Sequence, residues 1–105
     1  MNGYIYLLRY KDTEGNILNK YGYSKNYPLA RLYYWRNKIC IDFEFSFIAK
    51  CSNYQKLENQ IKWFVIDIRK GFLIGNHFEL SINAEDEIKD FIKSNGFYQK
   101  TVFEN

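Results

Sequence analysis

Five basic residues lie within one short segment of the N-terminal half of the chain: Lys20, Lys25, Arg31, Arg36 and Lys38. Such a cluster can neutralise the phosphates of a nucleic acid. The chain also contains ten tyrosines and nine phenylalanines. Aromatic rings that face solvent can stack on bases or hydrogen-bond to phosphates. Charge alone favours a simpler interpretation, because a basic run is also typical of a solvated helix face.

The distribution of charge says more than its total. The net charge of +3 is too small to indicate nucleic acid by itself. Residues 1–56 contain nine Lys and Arg against four Asp and Glu, whereas residues 57–105 contain six against eight. An anionic partner would therefore bind the N-terminal half. The length of 105 residues fits a single domain over residues 1–105, and 20% aromatic content allows even a short chain to bury a core.

The cysteine and histidine content argues against a zinc site. Cys40 and Cys51 form no CxxC pair, and His77 is the single histidine. A disulfide is open but has no support. The sequence shows neither a signal-peptide core nor an apolar run of membrane-spanning length, so we expect an intracellular protein without membrane contact. Richness in Lys, Asn, Ile, Tyr and Phe suggests an AT-rich genome, hence a phage or viral origin. The cytoplasm is the expected location, or the nucleus for a eukaryotic virus.

The patterning predicts strands and helices in a β-β-α-β-α order with a C-terminal helix. Residues 4–10 and 17–24 are strands around a polar turn, and residues 42–50 alternate strictly, placing Phe43, Phe45 and Phe47 on one face. Pro28 suits the first turn of a helix that ends near Asn37. We expect an α+β fold in which helices flank a small three-stranded antiparallel sheet.

Helix-start signals place the two later helices. Ser52 and Gln55 form a capping box before an apolar stripe at helical spacing, which consists of Leu57, Ile61, Phe64, Val65 and Ile68. Gly71 and Gly75 bracket a loop, and residues 77–80 are a short extended segment. Asn83 is expected to cap a last helix over about residues 84–95.

The order of four short motifs resembles the GIY-YIG nuclease superfamily. Tyr4-Ile5-Tyr6 stands on the first strand, Lys20-Tyr21-Gly22 on the second, Arg31 on the next helix and Glu58 on the later amphipathic helix. The closest likeness is to the branch of phages and large DNA viruses whose second motif reads K-x-G. Gly75-Asn76-His77-Phe78 stands at its final motif, and the resemblance covers about residues 3–80.

The resemblance implies a metal-dependent endonuclease. Tyr6 would activate or orient the attacking water, Arg31 would hold the scissile phosphate, and Glu58 would bind Mg²⁺ or Mn²⁺. Ionising a free tyrosine at neutral pH costs on the order of 4 kcal/mol. Lys20 on the neighbouring strand, or the metal ion, could offset that cost. Without the motif, Tyr6 would be one more strand aromatic and Glu58 an ordinary acid near a helix start.

Other residues are expected to bind nucleic acid or to support the site. The binding set is Tyr21, Tyr23, Ser24, Lys25 and Arg36, and the supporting set is Tyr4, Gly22, Asn76 and His77. Ser24 could instead cap the next helix, and His77 could be structural. One of Tyr21 and Tyr23 could hydrogen-bond to Tyr6.

The expected partner is nucleic acid, with double-stranded DNA first. The sequence supplies no separate recognition domain, so targeting calls for a partner protein or for a second subunit in a homodimer. Two other functions stay open. One is a nucleic-acid-binding module with weak or no catalysis, because the second and last motifs are altered. The other is a viral protein-interaction factor, for which small size and exposed aromatics are the motivation.

Overall fold

A computed structural model describes residues 2–74 and 78–105, with only the backbone described for residues 73, 74, 78 and 79. The N-terminal hairpin joins β1 (Asn2–Lys11) to β2 (Ile17–Ser24). Its turn is closed by the Asp12 carboxylate, which accepts hydrogen bonds from the backbone N–H groups of Glu14 and Asn16 at 2.9 and 2.8 Å. This is the local bonding that favours Asp at turns.

Two helices and one strand follow as the patterning predicts. α1 (Leu29–Ile39) begins after Pro28, β3 (Glu44–Ser52) occupies the alternating segment, and α2 (Tyr54–Asp67) contains the apolar stripe. β4 (Gly71–Ile74), β5 (Phe78–Ile82), α3 (Glu85–Lys93) and β6 (Tyr98–Glu104) complete the described chain. The α+β class is confirmed, and α3 lies within the segment expected for the last helix.

The expectation of three strands is wrong. The described strands form one six-stranded antiparallel sheet in the order β4-β5-β2-β1-β3-β6. The extra strands carry weak sequence signals. β4 has four residues and starts at a glycine, and β6 is an edge strand with mostly exposed side chains. A strand without a buried face lacks the apolar alternation by which strands are recognised.

Each face of the sheet has its own apolar cluster. On one face Ile5 and Leu7 pack with residues of α2 and α3, among them Leu57, Ile61 and Ile88. On the other face Tyr6 and Leu8 pack with Leu32 and Trp35 of α1 and with Phe43. The period of two along β1 sends successive side chains to opposite faces. As a result α1 lies on one side of β1 and α2 on the other.

The three phenylalanines of the alternating segment do not share one face. Leu7 pairs with Phe47 and Leu8 pairs with Phe45, so Ser46 is an extra residue at a β-bulge. Phe47 therefore belongs to the cluster under α2, whereas Phe43 and Phe45 pack on the α1 side. A bulge shifts the inward–outward alternation by one residue, which the sequence pattern does not reveal.

Both expected capping residues act differently. Ser52 belongs to β3 and donates its hydroxyl to the Phe97 carbonyl, while α2 starts after Asn53 without a side-chain cap. Asn83 precedes the N-cap of α3 and accepts the backbone N–H of Ile17 at 2.9 Å. Both side chains thus join elements that are distant in sequence instead of capping their own helices.

Two further expectations concern a disulfide between the cysteines and a helix that could cross a membrane. Cys40 is an exposed free thiol and Cys51 a buried one, so the open disulfide is not formed. Burial raises the pKa of the Cys51 thiol to about 11. Within residues 2–74 and 78–105, no helix has the length and apolar character needed to cross a membrane.

Candidate active site

A cleft opens along the part of β2 that follows its pairing with β5. β2 pairs with β5 only through Leu18 and Asn19 within the described part of the chain. Residues 20–24 pair with β1 on one side, and their other edge opens between α1 and α2. The cleft has a volume of about 500 Å³. It is lined by Tyr6, Lys20, Tyr21, Gly22, Tyr23, Ser24, Lys25, Arg31, Trp35, Tyr54, Gln55 and Glu58.

The cleft gathers residues that are far apart in sequence. Tyr6 comes from β1, Lys20 from β2, Arg31 from α1 and Glu58 from α2, and all four line it. Because α1 and α2 cover opposite faces of the sheet, their side chains can meet only around an edge, and β2 supplies that edge. The four residues expected to be catalytic therefore line one solvent-facing space.

Gly22 allows the Tyr6 hydroxyl to reach the cleft. Tyr6 and Gly22 are directly paired across β1 and β2. A Cβ atom at position 22 would lie 2.3 Å from the Tyr6 hydroxyl oxygen and 2.5 Å from its ring carbon Cζ. The phenol ring thus lies across the backbone of the neighbouring strand, in the space that any other residue would fill. This is the close approach for which glycine is used in strands.

Two N–H groups point at the phenol oxygen of Tyr6. The Trp35 indole donates its Nε1–H at 2.9 Å, and the Arg31 guanidinium donates from Nε at a long 3.5 Å. Donors directed at an oxygen stabilise negative charge on it. The Tyr6 side chain is only 1% exposed, so these bonds operate where water screens them little. The two bonds fix the hydroxyl in position and would stabilise negative charge on its oxygen.

Lys20 supplies a second basic side chain in the wall of the cleft. Its side chain is 8% exposed, and its ammonium donates to the Tyr21 carbonyl at 3.0 Å. The same nitrogen lies 4.4 Å from the centre of the Trp35 ring, within the range of a cation–π contact. A buried lysine is costly unless it is bonded in this way. It brings fixed positive charge to the wall of the cleft.

Arg31 is held by aromatic rings. Its guanidinium carbon lies 4.6 Å from the centre of the Tyr34 ring and 5.5 Å from that of Trp35. Stacking restricts the side chain while leaving in-plane N–H groups able to donate to an anion. An arginine that is ordered in advance loses less conformational entropy when it binds a phosphate.

Glu58 is the one carboxylate among the described residues that line the cleft. It lies on α2, half-buried, one turn after Gln55. Among the described residues there is no cluster of three or more His, Cys, Asp or Glu side chains that could hold a metal ion. A single carboxylate, an amide oxygen, water and a substrate phosphate still form an all-oxygen set, which suits Mg²⁺ because this ion retains much of its water. The donor set therefore fits a metal ion held largely by the substrate.

The cleft is strongly basic on its α1 side. Residues 15–41 contain five Lys and Arg and no Asp or Glu. Three of these cations, Lys20, Lys25 and Arg31, line the cleft together with Glu58. Low-dielectric walls focus such a field and attract an anion.

Several expected residues are placed together and others are not. Tyr21, Tyr23, Ser24, Lys25 and Gly22 line the cleft. Arg36 does not, because it donates to the Phe43 carbonyl at 2.7 Å and lies 3.6 Å from Asp42. Tyr4 also lies outside the lining and packs edge-on against Tyr27. Asn76 and His77 fall outside the described residues.

Three lining residues were missed by the sequence analysis: Trp35, Tyr54 and Gln55. Trp35 is the partner of Tyr6, a role expected of Tyr21 or Tyr23. Two signals pointed to it. Trp35 stands four residues after Arg31, which places both on one face of a helix, and an indole N–H that is buried needs an acceptor. Gln55 likewise stands one helical turn before Glu58.

Comparison with known proteins identifies one family. Among models of protein families, that of the T5orf172 domain matches residues 3–95. T5orf172 is a phage-associated domain related to nuclease-type domains. The match extends beyond the segment of resemblance and includes α3. Neither the curated proteins nor the solved structures contain a match to this chain.

Proposed function

Because the chain belongs to the T5orf172 domain family, we propose that it is a metal-dependent endonuclease that hydrolyses phosphodiester bonds of DNA. One observation carries the proposal. Tyr6, Arg31 and Glu58 come from three different elements and line the same basic cleft. A phenol, a guanidinium and a carboxylate around one phosphate provide a proton acceptor, a charge stabiliser and a metal ligand.

Each residue has a distinct task in this mechanism. Arg31 binds the non-bridging oxygens of the scissile phosphate through its planar guanidinium. Lys20 and Lys25 attract the neighbouring phosphates of the DNA backbone. In its ionised form, whose charge the donors Trp35 and Arg31 would stabilise, the Tyr6 oxygen orients the attacking water and accepts its proton, which gives the neutral phenol. The water oxygen forms the new bond to phosphorus. The deoxyribose oxygen leaves with the electron pair of the old bond.

Glu58 would hold the divalent metal ion, with the Gln55 amide as a neighbouring oxygen donor. When bound, Mg²⁺ or Mn²⁺ supplies Lewis-acid stabilisation of the charge on the phosphoryl oxygens. Because Glu58 is the one carboxylate in the described lining, we expect the ion to bind tightly only when substrate phosphate completes its ligands. DNA and metal should therefore increase each other's affinity.

The test is cleavage of plasmid DNA in the presence of Mg²⁺ or Mn²⁺. We expect Glu58→Ala and Tyr6→Phe each to abolish cutting while the fold is preserved. Matched controls are available on the same chain. Asp67→Asn removes an exposed carboxylate at the end of α2, and Tyr98→Phe removes a hydroxyl that bonds to Thr101 at 2.7 Å on β6. Absence of cleavage of plasmid, single-stranded and flap DNA by the folded wild type under all metal conditions would exclude the proposal.

Two features favour a second candidate, DNA binding without cleavage. Tyr6 is almost fully buried, and Glu58 has no second carboxylate beside it in the described lining of the cleft. This candidate predicts salt-dependent DNA binding that Glu58→Ala leaves intact or strengthens, since a negative charge is removed. The endonuclease predicts instead that Glu58→Ala removes the dependence of DNA affinity on Mg²⁺.

The proposed site acts on one scissile phosphate at a time, so cutting both strands of a duplex calls for two attacks. A homodimer or a separate targeting partner would provide them, and both remain proposals.

A further inference from the structure

Exposed aromatic rings stand at the rim of the basic cleft. Tyr23 lines the cleft and is 41% exposed, and Tyr34, whose ring lies under the Arg31 guanidinium, is 45% exposed. Tyr33 is also exposed and lies 5.6 Å from the Arg36 guanidinium, so α1 pairs both of its arginines with exposed tyrosine rings. Large aromatic rings left in water beside a phosphate site need an explanation, because burying them would stabilise the protein.

The exposed rings are better suited to bind unpaired bases than to bind a DNA duplex. Paired DNA presents base edges in its grooves and keeps base faces stacked inside the helix. Aromatic rings bind base faces, which are available only where the strands are unpaired. A stacking ring next to a phosphate grip can engage a nucleotide only when its base is turned out of the stack.

We propose that the rim tyrosines, Tyr23 and Tyr34, stack on unpaired bases next to the scissile phosphate, so that the preferred substrate is DNA with a single-stranded or branched segment. The positive charge of the surrounding surface favours binding of a DNA strand at this position. Lys25 and Arg31 adjoin the rings, and residues 15–41 contain no carboxylate that would repel a DNA strand. The inference rests on the proposed function, which takes the anion in the cleft to be a DNA phosphate. It narrows the expected substrate from double-stranded DNA to DNA that contains unpaired regions.

The ordering of Arg31 strengthens the link between ring and phosphate. Its guanidinium carbon lies 4.6 Å from the centre of the Tyr34 ring, and its Nε lies 3.5 Å from the Tyr6 hydroxyl oxygen. A base stacked beside Tyr34 would thus have its own phosphate within reach of the same arginine. Stacking would fix the register of the strand relative to the phenol of Tyr6.

The experiment measures binding in EDTA, so that it does not depend on cleavage. Fluorescence anisotropy compares a labelled single strand, its fully paired duplex and the same duplex with a single-stranded flap. Wild-type protein should bind the single strand and the flap about tenfold more tightly than the duplex. Tyr23→Leu and Tyr34→Leu should each weaken single-strand binding by about fivefold or more and duplex binding by less. Tyr34→Phe keeps the ring face and should bind as the wild type does.

Phe103→Leu is the matched control, because Phe103 is an exposed aromatic residue on the edge strand β6, away from the cleft. It should change neither affinity. Equal affinity of the wild type for single strand and duplex would overturn the inference, as would a Tyr34→Phe variant as weak as Tyr34→Leu. Thermal unfolding of each variant excludes a loss of fold as the cause. A protein that prefers unpaired DNA in EDTA but never cuts it would refute the endonuclease and support the inference.

Discussion

Gly22→Ala tests the contact that places the catalytic phenol. The new methyl group would lie 2.3 Å from the Tyr6 hydroxyl oxygen, whereas ordinary van der Waals contacts start at 3.4 Å. The phenol must therefore move by about 1 Å, or the strands must separate, as in other overpacked cores. Overpacking of this kind costs about 1–3 kcal/mol in the free energy of unfolding. Movement also weakens the 2.9 Å hydrogen bond from Trp35.

The effect on catalysis should exceed the effect on stability. Misplacement of a reacting group by about 1 Å can lower a rate on the order of 100-fold. The assay pairs urea unfolding with single-turnover cleavage of a labelled DNA. Gly96→Ala is the control, because no atom beyond its immediate chain neighbours lies within 4 Å of a Cβ at that position. It should change neither quantity.

Measuring Gly22→Ala in a Tyr6→Leu variant as well tests whether the strain comes from the Tyr6 ring. Tyr6→Leu removes the ring that meets the new methyl group, so Gly22→Ala should cost less stability there than in the wild type by about 1 kcal/mol or more. Gly22→Ala with unchanged stability and unchanged cleavage would refute the reasoning. An equal cost of Gly22→Ala in both backgrounds would place the strain elsewhere.

Two further predictions concern the support of Tyr6 and the acid limit of stability. Trp35→Phe removes the indole donor to the Tyr6 hydroxyl. We expect the free energy of unfolding to fall by about 1 kcal/mol and single-turnover cleavage to slow by about 10-fold or more. Cleavage at the wild-type rate would remove this bond from the mechanism. Burial alone would raise the pKa of the Glu85 carboxyl, but hydrogen bonds from Asn19 and Arg9 hold that pKa below its usual value of 4.5. Because the folded pKa is depressed, Glu85 stabilises the fold above pH 4.5 and this contribution is lost as the pH falls through the folded pKa. Glu85→Gln should therefore cost about 1–2 kcal/mol at neutral pH and flatten the acid limb of a stability–pH curve, and an unchanged limb would contradict this account.

The sequence allowed much of the first half of the fold to be predicted, because its segments have strong periodicity. The hairpin of β1 and β2 has apolar residues around a polar turn, Pro28 marks the start of α1, and α2 has an apolar stripe that matches its buried face. β3 was predicted from its alternation, although the bulge divides its phenylalanines between the two faces. β4 and β6 lack that signal, since one is short and the other mostly exposed. The bulge at Ser46 depends on pairing with β1, which no local pattern records.

The candidate site likewise contains residues that local motifs reveal and contacts that only the packing of the fold creates. Arg31 and Glu58 were singled out because they stand at motif positions, whereas Trp35 was missed although helical spacing puts it on the face of Arg31. Arg36 follows Arg31 by five residues, which is about 140° around a helix, so it could not point into the same cleft. The bond from Trp35 to Tyr6 arises only when α1 packs on the sheet, and a search limited to local motifs does not reach it.

The central claim is that Tyr6, Arg31 and Glu58 act on one phosphate together with a metal ion. The most direct measurement is anomalous diffraction from crystals of Tyr6→Phe protein grown with a short DNA and Mn²⁺. We predict a manganese peak bound to the Glu58 carboxylate and to a DNA phosphate, with the Arg31 guanidinium on that same phosphate. Manganese and phosphate bound elsewhere on the protein, with the cleft holding neither, would contradict the account.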